Sequence, residues 1–316
     1  MVATLARSSE PLLEETWKAL YALDPARFDR SKTSALRDSL RNVHSRLDAL
    51  PKAEGPLPDA LATLRNTLSD VPESDEPESW MELRSSLEPC YEEVAEHLLE
   101  TGVKVPRLRP TNYTRSIVHA LSGLAVVAFV ELAPRQVILW TASCALVVAV
   151  FLESTRRFSP WWNDMLMKVL GPVAHPYERY RINSASNYIA ALFILAWMGY
   201  PAVGAVGVIV LALADPAASF VGRRWGTTPL LNGRTLQGSL AFVVMGTAAA
   251  LVVLTIFHGE ISIGSAAIIA AVAAFAAAVA ELASGRLDDN LTIPVIAGAA
   301  AWGVAVLLGA PLASFV

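Results

Sequence analysis

The amino-acid sequence predicts an all-α protein: a polytopic membrane helix bundle of about seven transmembrane helices, preceded by a soluble N-terminal helical bundle. Two observations predict it. Apolar residues make up 54% of the 316 residues and charged residues 17%, with a mean hydropathy of +0.44, whereas a soluble domain carries about 25% charge. The charge is also uneven. Residues 1–110 hold 14 basic and 20 acidic side chains, and residues 111–316 hold 11 and 9. A polar block thus precedes an oily one, which excludes a fully soluble enzyme, a disordered chain and a nucleic-acid binder driven by a basic field. Cys90 and Cys144 fall one in each block, which argues against a disulfide or a thiolate metal site. Met1–Trp17 lacks the apolar stretch of a cleaved leader.

Residues 1–110 read as amphipathic helices. A short first helix is expected over about Pro11–Leu23. Leu36, Leu40, Val43, Leu47 and Leu50 then recur every three or four residues. So do Leu57, Leu61, Leu64 and Leu68, and, after Trp80, Leu83, Leu87, Tyr91, Val94 and Leu98. Each set makes one apolar stripe. The breaks at Asp24-Pro25, Pro51 to Pro58 and Val71 to Pro77 are short, so a bundle of three or four antiparallel helices is expected. The acidic run Glu73-Ser74-Asp75-Glu76 reads as a solvated loop. His44 and His97 have no second ligand at metal-binding spacing. The block is taken as an accessory module for an unidentified protein partner.

Residues 111–316 contain apolar runs at about 116–134, 136–152, 185–200, 201–221, 238–258, 262–283 and 292–314, each near the length that spans a bilayer. Trp161-Trp162 and the apolar residues after them suit the headgroup level. With the N-terminal block cytoplasmic, every Lys and Arg from Lys104 to Arg286 except Arg135 lies on the cytoplasmic side, a strong positive-inside pattern. The outer loops, His258-Gly259-Glu260 among them, look almost featureless.

Three polar clusters then share the cytoplasmic face. Asp215 ends an apolar run and precedes Pro216, where a helix break is expected. A carboxylate at membrane depth costs about 2.5–3.5 kcal/mol on insertion scales, which makes a functional role the default reading. The following loop carries Gly222, Arg223, Arg224, Gly226, Gly233, Arg234 and Gly238. Glycine backbone and arginine forks suit phosphate oxygens, and the alternative is helix caps and orientation charges. Asp288, Asp289 and Asn290 stand at the entrance of the last span. They suit Mg²⁺, which takes oxygen ligands together with substrate phosphates; the alternative is a helix N-cap run. Arg115, His119, Glu153, Glu178 and Glu281 lie near the same face, and His119 reads equally as a polar residue packed between helices.

These residues resemble the CTP-dependent lipid-alcohol kinase family of dolichol, phytol and diacylglycerol kinases. The resemblance is carried by Asp215-Pro216-Ala217-Ala218-Ser219 with Gly222-Arg223-Arg224-x-Gly226, by Asn232-Gly233-Arg234-Thr235-Leu236-x-Gly238-Ser239, and by Asp288-Asp289-Asn290-Leu291-Thr292-Ile293-Pro294. Arg115-x-x-x-His119 and Glu153-x-x-Arg156 match more weakly. Residues 1–110 lie outside it. The chain departs from the family with Arg234 where Lys is usual and Gln237 where Glu is frequent.

The resemblance implies transfer of the γ-phosphate of CTP to the hydroxyl of a membrane lipid alcohol, with Mg²⁺, in an integral membrane domain over 111–316. In that reading Asp288 and Asp289 hold the metal and Asn290 orients them. Asp215 shares the metal or accepts the hydroxyl proton. Arg223, Arg224 and Arg234 grip phosphates, while Gly222, Gly226, Gly233 and Gly238 admit the nucleotide backbone-first. The alternatives are a phosphatidate cytidylyltransferase-like enzyme, whose C-terminal signature is missing here, and a transporter or non-catalytic membrane protein, against which the bare outer face counts.

Overall fold

The computed structural model describes residues 2–24, 28–51, 53–103, 105, 106, 108, 113–170, 178, 181–284 and 287–314. Lys104, Arg107, Arg109, Arg179 and Arg286 lie outside the described residues. Every regular element among those described is helical. The chain divides into two compact units, Met1–Asn112 with His175–Arg181, and Tyr113–Ala174 with Ile182–Val316.

The first unit contains α1 (Val2–Ala22), α2 (Thr33–Asp48), α3 (Pro56–Leu68) and α4 (Pro77–Glu100). Contacts α1–α2, α2–α3, α3–α4 and α1–α4 close them into a ring. Its core holds the expected leucines together with Trp80 and Tyr91. One expectation needs correction. Helix α1 begins at Val2, not near Pro11, which sits inside it. Proline removes one helix hydrogen bond, but Leu5, Ala6, Leu12 and Leu13 continue one buried stripe across it. The acidic run at 73–76 is the exposed loop expected, and two arginines of α2 hold it in place. Arg37 donates to the carbonyls of Pro72 and Glu73 and to Asp75 Oδ1 at 2.8–2.9 Å, and Arg41 pairs with Glu73. These contacts hold the Asp75 carboxyl below its usual pKa, led by the Thr33 hydroxyl and then Arg37. Burial pushes the Glu88 carboxyl up, against the opposing pull of Arg84.

The second unit contains α5 (Tyr113–Leu132), α6 (Arg135–Arg156), α7 (Pro160–Leu170), α8 (Ser184–Met198), α9 (Pro201–Trp225), α10 (Leu236–Phe257), α11 (Ile263–Ala283) and α12 (Asp289–Leu307). Among the described residues six of these, all but α7 and α8, are long and apolar enough to cross a membrane. Helix α8, over the third expected span, has 15 residues. At 1.5 Å per residue it covers about 22 Å, short of the roughly 30 Å hydrocarbon core.

Helix α9 is the hub, touching α5, α8, α10, α11 and α12. Small residues let the backbones close in, the usual device where lipid removes the hydrophobic drive between helices. A Cβ on Gly123 of α5 would lie 2.2 Å from the Ala212 Cβ of α9.

Two further expectations change here. Helix α9 continues through Pro216 to Trp225, because the neighbours packed around it hold a turn that proline alone would break. Gly222, Arg223 and Arg224 therefore lie on its last turn and not in a loop. At the far end of the bundle, His258 is buried and its Nε2 lies 3.0 Å from Glu131 Oε1, with Nδ1 3.4 Å from Glu260 Oε1. The His258-Gly259-Glu260 loop is a charged anchor rather than a plain turn.

Candidate active site

The loop between α9 and α10 turns back on itself. Asn232 and Gly233 adopt left-handed backbone angles, φ 55° and 72°, and Leu230 N donates to the Arg234 carbonyl at 2.7 Å. Asn232 Nδ2 donates to the Leu282 carbonyl at 2.8 Å, tying the loop to the end of α11. Thr235 then caps α10 by accepting from Gly238 N. Gln237 clips the loop shut, with Oε1 accepting from Thr227 N at 3.1 Å and Nε2 donating to Thr227 Oγ1 at 2.7 Å. A Glu at this position could accept both bonds, the second with the Thr227 hydroxyl as donor.

This loop delivers Arg234 into the bundle. Its Nη1 lies 2.8 Å from Glu281 Oε1 at the end of α11. Its Nη2 lies 3.0 Å from Asp289 Oδ2 at the start of α12. Asp215 Oδ1 of α9 is 4.0 Å from Nη1, too far for a hydrogen bond. Burial opposes the Arg234 charge, but Glu281, Asp289 and Asp215 together hold its pKa above the ordinary value. One guanidinium thus draws together the interior of α9, the end of α11 and the start of α12.

Asp288 caps α12, its Oδ1 accepting from Asn290 N at 2.9 Å and from Asn290 Nδ2 at 2.8 Å. Its Oδ2 accepts from Ser184 Oγ of α8 at 3.2 Å. Glu153 of α6 fastens the same end of α8. Its Oε1 accepts from Asn183 N and Ser186 Oγ, both at 3.0 Å, while Oε2 takes Arg156 at 2.8 Å. Arg156 continues to Asn163 of α7 at 2.9 Å.

The structure thus brings Asp215, Arg234, Asp288, Asp289 and Asn290 into one cluster, with Glu153 joined to it through α8. Glu281 and Ser184 complete that cluster. Sequence reading placed Glu281 merely near this face and passed over Ser184; a lone carboxylate closing an Ala-rich span was the available signal for Glu281.

Gly222, Gly226 and Gly238 surround Thr235 instead of opening to solvent. A Cβ on Gly226 would lie 2.2 Å from the Gly222 carbonyl oxygen and 2.7 Å from Thr235 Oγ1, and one on Gly238 would lie 3.0 Å from the Ala218 carbonyl oxygen. These three glycines let α9 and α10 meet at the site. Arg224 is exposed and Arg223 partly buried on the last turn of α9. Arg115 and His119 lie on the first two turns of α5, both partly buried. Glu178 belongs to the first unit and is buried there.

The chain is 28% identical over 159 residues to a CTP-dependent diacylglycerol kinase 1 of Schizosaccharomyces pombe, a match covering 47% of this chain and 73% of that protein. It is 25% identical over 177 residues to the CTP-dependent diacylglycerol kinase 1 of Saccharomyces cerevisiae, covering 50% of this chain and 61% of that one. The chain is related to the CTP-dependent lipid kinases. No protein-family model matches it, and no solved structure does.

The kinase relationship gives the cluster a chemical frame. Phosphoryl transfer asks for positioned charge and a proton acceptor more than for covalent catalysis, and the clustered side chains are carboxylates, an amide and a guanidinium.

Proposed function

We propose that the chain transfers the γ-phosphoryl group of CTP to the hydroxyl of a membrane lipid alcohol, diacylglycerol being the first candidate. The observation that carries the reading is the Arg234 cluster, which sets Asp215 of α9, Glu281 at the end of α11 and Asp289 at the start of α12 around one guanidinium. The diacylglycerol assignment rests on the two yeast relatives.

In this reading Asp215 accepts the proton of the lipid hydroxyl. The hydroxyl oxygen forms the new bond to the γ-phosphorus as the bond to the β-phosphate oxygen breaks, and CDP leaves. Asp215 suits the role because its side chain is 29% exposed and stands off Arg234 by 4.0 Å, which leaves room for a substrate oxygen. Arg223 and Arg224 meet phosphates from the last turn of α9, and the Gly233 turn approaches them by its backbone. Arg234 holds the carboxylates in register.

Asp288 and Asp289, with Asn290, are the residues that would hold Mg²⁺. Their donors are all oxygen, which fits a hard cation. Among the described residues no group of three or more His, Cys, Asp or Glu forms a metal site by itself, and that fits a cation shared with nucleotide phosphates, the usual habit of Mg²⁺. When bound, the ion would offset phosphate charge. We further assign the site and residues 1–110 to the cytoplasmic side, in line with the positive-inside pattern, and the first unit to binding a protein partner.

The test is purified protein in detergent with γ-labelled CTP or ATP and a panel of diacylglycerol, dolichol and phytol. Label passing from CTP to diacylglycerol supports the reading. Label passing only from ATP overturns the donor, and label in dolichol or phytol alone overturns the acceptor.

A further inference from the structure

The second unit holds an apolar pocket of about 120 Å³ between α5, α6, α8 and α9, toward the end of the bundle away from the polar cluster and open on one side, where Phe129 and Thr141 are exposed. Its walls include Val126 and Val130, Leu192 and Leu195, and Gly204 and Val208. These residues continue faces that begin in the polar cluster. On α8, Ser184, Tyr188, Leu192 and Leu195 follow at spacings of four, four and three, one stripe of a helix. Ser184 bonds Asp288, and the last two line the cavity. On α5 the stripe runs His119, Val126, Val130, and on α9 it runs Asp215, Val208, Gly204. Two helices, α8 and α9, thus lead from the candidate active site to one apolar pocket, and α5 runs alongside them from His119.

Two polar groups stand on this route. The His119 and Tyr188 rings lie 6.2 Å apart. His119 Nε2 and the Tyr188 hydroxyl are both buried and have no hydrogen-bond partner among the described residues. Buried polar atoms without partners cost free energy, and native structures rarely keep them without a purpose. Tyr188 sits one turn from the Ser184 that touches the polar cluster and one turn from the Leu192 that lines the cavity.

We infer that the cavity and this pair form the lipid subsite: the cavity takes a stretch of one acyl chain, and Tyr188 and His119 receive the ester and hydroxyl oxygens of the same glycerolipid. The inference rests on the lipid-kinase reading and adds the location of the acceptor. The cavity is of the size that admits a benzene-sized apolar guest, about 150 Å³ in an engineered case, so it fits a few methylenes of a single chain. An ester-linked glycerolipid supplies both the chain for the hole and the oxygens for the two polar atoms.

Two measurements on the full chain in mixed micelles test this. The first is cross-linking of the wild-type protein with a diacylglycerol bearing a diazirine in mid-chain, mapped by mass spectrometry. Label on the buried lining residues Leu195 or Val208, competed by unlabelled diacylglycerol, supports the subsite. Label confined to outward residues such as Trp140 and Val147 overturns it. The second is kinetics of Ala145→Phe, which fills the cavity, and of Tyr188→Phe. The KM for diacylglycerol should rise about tenfold, the scale of a misfit in an apolar pocket, while the KM for CTP stays unchanged. Unchanged lipid KM in both variants overturns the subsite while leaving the kinase reading intact. A wild-type protein that phosphorylates no lipid defeats the kinase reading, and the cross-link map still decides whether the cavity holds a chain.

Discussion

Arg234 and Glu281 form a buried ion pair, Nη1 to Oε1 at 2.8 Å, with the Glu281 side chain only 1% exposed. The pair joins a loop to the end of a membrane helix 47 residues later in the chain. It also fixes where Asp289 and Asp215 stand, since both face the same guanidinium.

Removing that guanidinium should therefore damage fold and activity together. Breaking a buried pair by deleting one partner costs about 3–5 kcal/mol. Arg234→Ala is expected to lower thermal stability in detergent and to abolish lipid phosphorylation. Arg234→Lys keeps the charge as a single point and loses the fork, so it should retain part of both. Melting curves and turnover of the two variants check this.

Gly226→Ala tests the meeting of α9 and α10. The new methyl would sit 2.7 Å from Thr235 Oγ1 at the start of α10, and 2.2 Å from the Gly222 carbonyl oxygen of α9 itself, and overpacking of this kind costs about 1–3 kcal/mol. The variant should melt earlier than the wild type. Gly264→Ala, where a Cβ meets nothing within 4 Å, should not.

The end of the bundle that holds His258 should respond to pH. Burial works against a charged His258, but its hydrogen bond to Glu131 and the nearby Glu260 raise its pKa above the ordinary 6.5. A base with a raised folded pKa contributes stability that is complete below the unfolded value and fades as pH rises through the folded one. Melting temperature should thus fall as pH climbs above 6.5. His258→Gln should flatten that part of the profile, as measured by melting in detergent across the range.

Orientation can be read chemically. In the proposed topology Arg224→Cys faces the cytoplasm and Arg135→Cys faces the opposite side. In sealed right-side-out vesicles of a variant also lacking Cys90 and Cys144, an impermeant maleimide should label Arg135→Cys alone. Labelling of Arg224→Cys instead would reverse the topology.

Much of the helical layout could be read from the chain because burial leaves a local pattern. The leucine stripes of α2, α3 and α4 repeat at helical spacing, and the long spans of the second unit are runs of apolar residues. Asp215 stood out because a carboxylate at membrane depth is costly, and Asp288–Asn290 because three adjacent oxygen-bearing side chains open a span. What stayed hidden depends on partners distant in sequence. Glu131 and His258 are 127 residues apart, and neither residue's local pattern names the other. Pro11 and Pro216 read as breaks because local propensity disfavours proline in a helix, yet tertiary packing carries α1 and α9 through both. The glycines near Arg234 look like a phosphate loop in sequence. Only the closeness of Gly222, Gly226 and Gly238 to Thr235 shows that they seat one helix against another.

The central claim is that the carboxylates gathered by Arg234 perform phosphoryl transfer to a lipid. The most direct measurement is turnover of Asp215→Asn and Asp289→Asn with γ-labelled CTP and diacylglycerol, alongside membrane insertion of each variant. The expected result is normal insertion with phosphorylation reduced by at least about a hundredfold, the scale of losing a positioned proton acceptor. Wild-type turnover in both variants would contradict the account and move the reaction away from this cluster.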